Sequence, residues 1–330
     1  MKRLKIGIFL LLSFILIVSL AACGKEDVQK VRVAEVTRSI FYAPQYVALE
    51  KGFFKEEGLD VDLKTTPGGD KTMTALLSNG ADVALVGSET SVYVAAQDPK
   101  DPVINFAQLT QTDGTFLVSR KKMDHFEWNM LEGSTFLGQR KGGMPQMVGE
   151  FVLKKHDIDP KSDLKLIQNI DYANISTAFA SGTGDFVQLF EPTASVFEKE
   201  GKGYIVASFG TESGHVPYTT FMSKQSYIKE NKETIEKFTR AVKKAQDFVQ
   251  KESAAETAKI IHPFFEDTDL ETIEMVIDRY KSQGSFAEDP ILDKQEWDNL
   301  QNIMDEAGEL PKRIEYNELV NTDFAEKVSK

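Results

Sequence analysis

The chain has 330 residues, 41% hydrophobic and 10% aromatic, with 39 Lys plus Arg against 51 Asp plus Glu, a net charge of −12 and one cysteine. At about 150 residues per domain, this length points to two domains. The acidic balance argues against nucleic-acid binding driven by net charge, the lone cysteine excludes an intramolecular disulfide, and four histidines give no support to a zinc cluster.

The chain opens with the basic run MKRLK, followed by an uncharged apolar run over residues 6–22. That run is short of the roughly 20 residues of a membrane span, and its basic start and apolar centre match a secretory signal. It ends Leu20-Ala21-Ala22-Cys23-Gly24, which resembles the bacterial lipobox. The resemblance implies a signal peptide over residues 1–22, cleavage before Cys23, acylation of Cys23 by palmitate-type chains, and a polar tether over residues 23–30. An uncleaved anchor helix followed by an unrelated cysteine is the alternative. Each buried lipid methylene contributes about 0.8 kcal/mol, so several chains on Cys23 suffice to hold a soluble body at a membrane.

Beyond residue 30 no apolar run approaches membrane length. Residues 31–36 (VRVAEV) alternate as a strand does, a helix fits 44–50, and the Gly52 turn leads through Phe53-Phe54 to a second alternating strand at 59–63. Gly68-Gly69-Asp70 opens a helix over 71–78 that stops at Asn79-Gly80. An apolar strand at 81–87 precedes Ser88 and a helix over 89–96. Repeated β-α-β units imply parallel sheets flanked by helices.

The plan recurs downstream. Residues 135–138 read as a strand, Gly142-Gly143-Met144-Pro145 as a turn into a helix ending at Lys155, 164–167 as a strand, 175–181 as a short helix, and 186–190 and 204–207 as strands. The last third is mostly helical: Ile235, Phe238, Val242, Ala245 and Val249 recur at three- and four-residue steps, and helices fit 270–281 and 294–306.

The stretch YVALEKGFFKEEGLDV (46–61), with LLSNGADVA (76–84), AFASGTGD (178–185) and Phe190-Glu191-Pro192, resembles the solute-binding proteins of ABC importers in the nitrate, sulfonate, taurine and thiamine-pyrimidine group, a group that also contains pyrimidine-synthesising enzymes. The resemblance covers most of residues 31–250. It implies the two-lobed α/β type II periplasmic-binding-protein fold: lobe I from 31–120 and 217–330, lobe II from 121–216, discontinuous in the chain and carrying a helical C-terminal layer. It further implies a ligand held between the lobes, a monomer, permease and ATPase partners, and a place on the extracytoplasmic face of the cell membrane.

In α/β lobes the ligand crevice lies beyond the C-terminal ends of the parallel strands. The loops after the strands at 31–36, 81–87 and 135–138 place Arg38, Ser39 and Tyr42, then Ser88 and Glu89, then Arg140, Lys141, Gly142 and Gly143 as candidate ligand contacts, joined by Phe190 and Glu191. Helix N-termini expose amide donors and about half a positive charge, a seat for an anion that Arg140 and Lys141 would reinforce. Tyr42 and Phe190 offer faces for a ring, with core packing as the plainer role for any Phe, including Phe41. Ser88 has a second reading as an N-cap, Glu89 as a favourable charge in a helix first turn, Glu191 as a surface carboxylate and His215 as a solvated loop residue.

The chain carries no G-x-x-x-x-G-K-[ST] loop, G-x-S-x-G elbow or H-E-x-x-H helix, so neither energy coupling nor a recognised catalytic constellation lies in it, and no cofactor, metal or catalytic residue is assigned. The reading is a substrate-binding lipoprotein that delivers a small organic solute to a permease. The pyrimidine-synthesising relatives use a Cys- and His-bearing site, whereas the only Cys here is assigned to lipidation; an enzyme of that kind, or a ligand sensor on the same fold, is the alternative. Arg38, Arg140, Lys141 and the helix termini favour an alkanesulfonate-like anion, while Tyr42, Phe190 and Glu191 favour an aminated ring such as a thiamine-precursor pyrimidine.

Overall fold

Ten strands form two five-stranded sheets in the computed structural model, which describes residues 28–330. The signal peptide expected over residues 1–22 and the expected acylation site Cys23 lie outside the described residues. The first sheet holds β1 (Gln29–Glu35), β2 (Leu59–Thr65), β3 (Val83–Gly87), β4 (Val103–Thr110) and β10 (Thr219–Lys224), in the order β2-β1-β3-β10-β4. The second holds β5 (Thr115–Ser119), β6 (Thr135–Leu137), β7 (Lys165–Ile167), β8 (Phe186–Phe190) and β9 (Tyr204–Ser208), in the order β7-β6-β8-β5-β9. β1 runs parallel to β2 and β3, and β6 parallel to β7 and β8. The strands that enter from the other lobe, β10 and β5, are antiparallel to their neighbours.

Side-chain alternation explains β1: Val31 and Val33 point into the core, while Arg32 points out and pairs with Asp82 at 2.5 Å. β4 has no such alternation, because all eight of its residues are buried. Its polar members are accommodated by hydrogen bonds: Asn105 Nδ2 donates to Ser91 Oγ at 2.9 Å and Thr220 Oγ1 donates to Asn105 Oδ1 at 2.6 Å. The long helix Lys232–Lys251 covers the first sheet with the stripe read from its sequence. Phe238 on that stripe lies 5.0 Å from the Phe221 ring and 4.8 Å from Phe54. Each such side chain contributes about 1.5–3 kcal/mol on burial.

Three expected boundaries move. β5 already pairs with β8 and β9, so the first crossing between lobes falls at 111–114, not at 120/121. Gln29 and Lys30, expected in a polar tether over 23–30, instead pair with Leu59 and Asp60 in the first sheet. The C-terminal layer does not belong to lobe I alone. The helix Lys294–Glu306 packs on the Met144–Lys155 helix of the second lobe, and Leu270–Ser282 packs on Thr193–Lys199. Both have one apolar face, carrying Trp297, Leu300, Ile303 and Met304 in the first and Ile273, Val276, Ile277 and Tyr280 in the second, and each helix also packs on the first lobe, against Glu89–Ala95 and Ile40–Tyr42 respectively.

The two crossings, 111–114 and 214–218, run side by side. Val216 N donates to Gln111 O at 2.9 Å and Tyr218 N to Thr110 O at 3.1 Å. Phe41, fully buried, fills the space beside them, 5.7 Å from Tyr218, 5.1 Å from Tyr280 and 6.1 Å from Phe190. Gly114 passes so close that a Cβ there would sit 2.8 Å from the Phe41 ring.

Candidate functional site

A cavity of about 580 Å³ opens between the two sheets, at the C-terminal ends of the parallel strands of both. The first lobe lines it with Tyr42, residues 67–71 at the start of the helix Gly69–Leu77, Glu89 and Tyr93; the second with residues 139–145 leading into the helix Met144–Lys155, Tyr172 and Phe190; the second crossing adds Tyr218. Five aromatic rings from both lobes therefore surround it, with Met73, Val86 and Met144 filling the wall between them.

Glu89 is the buried charge of this site. It begins the helix Glu89–Ala95, is 4% exposed, and accepts from the backbone N–H of Met144 at 3.3 Å through Oε1. Its Oε2 is buried without a partner. Burial raises the Glu89 carboxyl to about 7, against the opposing pull of the amides of Glu89 and Met144. Gly87 makes the position possible: a Cβ there would lie 2.1 Å from Glu89 Oε2. Burial also drives the phenols of Tyr42 and Tyr218 well above their ordinary value, so both stay protonated and can donate.

At the rim, Arg140 spans the cleft between two carboxylates, 3.2 Å from Asp70 Oδ2 on the first lobe and 3.4 Å from Asp171 Oδ1 on the second. Asp70 is the main cause of its raised pKa. Further contacts join the lobes: the Tyr93 hydroxyl lies 3.7 Å from Met147 Sδ, and Ser39 Oγ donates to Glu191 O at 2.7 Å.

Of the eleven residues expected at the ligand, Tyr42, Glu89, Arg140, Lys141, Gly142, Gly143 and Phe190 line the cavity. Arg38, Ser39, Ser88 and Glu191 do not. Arg38 turns back to Glu35 at 2.9 Å and lies over the rings of Tyr46 and Phe264. Ser39 caps the short 3₁₀ turn Ile40–Tyr42. Ser88 neither caps its helix nor meets the cavity; its hydroxyl donates to Pro217 O and ties β3 to the second crossing. Glu191 is buried and held by Arg279 Nη1, Ser195 N and Ser195 Oγ. His215 is more than half exposed and lies 3.3 Å from Glu296.

The anion seat expected at 140–144 is engaged in part, at Arg140 and at the Met144 amide, while Lys141 lines the cavity without an ion pair among the described residues. The Arg140 guanidinium is held by two carboxylates, and the first amide of the Met144–Lys155 helix is taken by Glu89. Tyr93, Tyr172, Tyr218, Asp70 and Asp171 were not among the expected contacts. Applying the strand-end rule to β2 and β7 as well as to β1, β3 and β6 points to the segments after those strands, where Asp70, Asp171 and Tyr172 stand.

A family model described as NMT1/THI5 like matches residues 40–255. The chain is 65% identical over 329 residues, 99% of its own length and 98% of the other's, to the candidate binding protein YtlA of Bacillus subtilis (strain 168). It is 28% identical over 234 residues, 65% of each chain, to the 4-amino-5-hydroxymethyl-2-methylpyrimidine phosphate synthase of Aspergillus parasiticus. Among solved structures, the alkanesulfonate-binding protein SsuA from Xanthomonas axonopodis pv. citri, bound to MOPS, superposes with a TM-score of 0.70 at 16% identity, over 89% of this chain and 98% of that one. At that identity the likeness speaks to the fold alone.

Proposed function

The chain belongs to the NMT1/THI5-like family, and from that premise we propose that it is an extracytoplasmic receptor of an ABC importer, anchored through Cys23, that captures an aminated heteroaromatic solute. The observation that carries the ligand class is Glu89: a buried carboxyl with one unsatisfied oxygen, in a cavity walled by five aromatic rings. A planar ring supplies the faces those aromatics complement, and a ring amine supplies the donor that the carboxyl lacks. A sulfonate offers only acceptors there, and Arg140 and the helix terminus, two of the groups that would attract it, are occupied by carboxylates. Deep in the cavity the titratable groups are one carboxyl and phenols held protonated, a set suited to holding a ligand by hydrogen bonds. The thiamine-precursor pyrimidines are the nearest chemical class. The name of the A. parasiticus relative is in keeping with a pyrimidine in this family, and its synthase activity is the rival reading.

A thermal-shift panel tests the proposal, because a ligand at 100 times its dissociation constant adds about 2.7 kcal/mol of stability. Aminopyrimidines are expected to raise the melting temperature and alkanesulfonates to leave it unchanged. The reverse pattern refutes the ligand class, and recovery of a chemically altered pyrimidine refutes the receptor role.

A further inference from the structure

We propose that Glu89 couples recognition to closure: from the first lobe it seats one carboxyl oxygen on the leading amide of the second lobe's Met144–Lys155 helix, and it leaves the other to be completed by a hydrogen-bond donor on the bound molecule. This inference rests on the receptor reading above and assigns its switch.

The contacts that join the lobes across the cavity differ in what they can transmit. Arg140 and Asp70 are both about half exposed, so water replaces their bridge at little cost when the lobes part. The Tyr93 hydroxyl meets only a thioether sulfur, a weak acceptor. Ser39 and Glu191 meet beside the Phe41 core rather than in the cavity lining. Glu89 alone among these is a buried ionisable group that both lines the cavity and bonds the opposite lobe.

Its surroundings make its state depend on the ligand. The titratable groups that face it are the phenols of Tyr42, Tyr93 and Tyr218, all kept protonated by burial, and its amide partners are its own N–H and that of Met144. The rim cations are Lys71, in the first turn of the helix Gly69–Leu77, and Arg140 and Lys141 in the loop before Met144, with Arg140 already held by Asp70 and Asp171. When the lobes are apart, water solvates both carboxyl oxygens. When they close on an empty cavity, Oε2 is buried unpaired, and the group avoids that state only by taking up a proton. A ligand donor removes the penalty and lets the anion stay on the helix N-terminus, where negative charge is favoured. A ligand can shift the equilibrium only by its differential affinity for the two states, and here that difference is concentrated at one oxygen.

The sign follows from the closed carboxyl standing above its ordinary value. Closure of the empty protein is favoured at acid pH and weakens as pH rises toward about 7, by up to tenfold per pH unit between the open and closed values. Small-angle scattering of the ligand-free mature protein at pH 5.5 and pH 8 reads this directly: the proposal expects a smaller radius of gyration at pH 5.5. With Glu89→Gln the radius is expected to be the same at both. A glutamine that keeps its carbonyl on Met144 turns an N–H₂ toward the ligand. Glu89→Gln should therefore weaken binding of a 4-aminopyrimidine probe roughly 10- to 150-fold, the range for one hydrogen bond to a charged group. It should also favour the 4-methoxypyrimidine analogue. A pH-indifferent radius for the wild-type protein, or full compaction of Glu89→Gln on the 4-aminopyrimidine, overturns the coupling. Neither outcome touches the receptor reading, which falls only if no aminopyrimidine stabilises the wild-type protein. The pH comparison uses the wild-type chain alone, so it stands even if the variant fails to fold.

Discussion

Replacing Arg279 by Met separates a structural role for Glu191 from a ligand-binding one. The Glu191 side chain is fully buried and its ion-pair partner Arg279 is 26% exposed, lying 5.3 Å over the Phe116 ring. Methionine keeps the apolar stem against Phe116 and removes the charge. Breaking a buried pair costs about 3–5 kcal/mol, and the partial exposure of Arg279 puts this one near 3. Unfolding entropy of roughly 2.1 cal/mol/K per residue gives about 0.6 kcal/mol/K for about 300 residues, so the expected fall in melting temperature at pH 8 is about 5 °C. Burial already raises the Glu191 pKa while Arg279 pulls it down, and losing Arg279 lets it rise further. A carboxyl with a raised folded pKa contributes stability that is present below its unfolded value and is lost as pH rises through the folded one. The deficit of Arg279→Met against the wild type should therefore shrink at pH 5. Thermal melts of Arg279→Met at the two pH values, with the double variant Arg279→Met/Glu191→Gln recovering at least half of the loss at pH 8, check the account. A deficit that is equal at both pH values, or a melting point within a degree of wild type at pH 8, refutes it. Ligand affinity of Glu191→Gln should stay within about threefold of wild type, less than one ordinary hydrogen bond is worth, because Glu191 does not line the cavity.

Gly87→Ala places a methyl group 2.1 Å from Glu89 Oε2. Overpacking of this kind costs about 1–3 kcal/mol, and if it falls on the liganded closed state, calorimetric titration with an aminopyrimidine should show a complex roughly 5- to 150-fold weaker. Arg140→Ala removes an exposed bridge worth under about 1 kcal/mol, so the melting point should barely move. Stopped-flow release should become a few-fold faster, with less dependence on salt than in the wild type. Cys23→Ala should move the protein from the membrane fraction to the soluble fraction, and unchanged membrane retention rules out the lipid anchor.

What could be read from the sequence was what local pattern encodes. The strand 186–190 and the helix 294–306 lie where they were expected, and the stripe from Ile235 to Val249 lies on one buried helix face. β4 and β5 went unread because every residue in both is buried, which erases the alternation that marks a half-exposed strand. The site divides along a similar line. Tyr42, Glu89 and the 140–143 loop follow from a rule about strand ends, a local property. Arg140's engagement with Asp70, seventy residues away, and Glu191's with Arg279 depend on which distant elements the fold brings together. Charge alone made Arg140 look like an anion receptor, and only its partners show that its charge is already balanced.

The placement of β10 also bears on how the chain is built. It sits in the middle of the first sheet, between β3 and β4, yet it is the last strand in chain order. Until β10 docks, β3 presents an open edge and β4 has no partner in its sheet, whereas β5 to β9 follow one another without interruption and can complete the second sheet first. The incomplete first lobe is therefore the part most exposed to wrong strand pairing. Substitutions that slow the docking of β10 should lower the yield of folded protein before they lower the stability of the finished molecule.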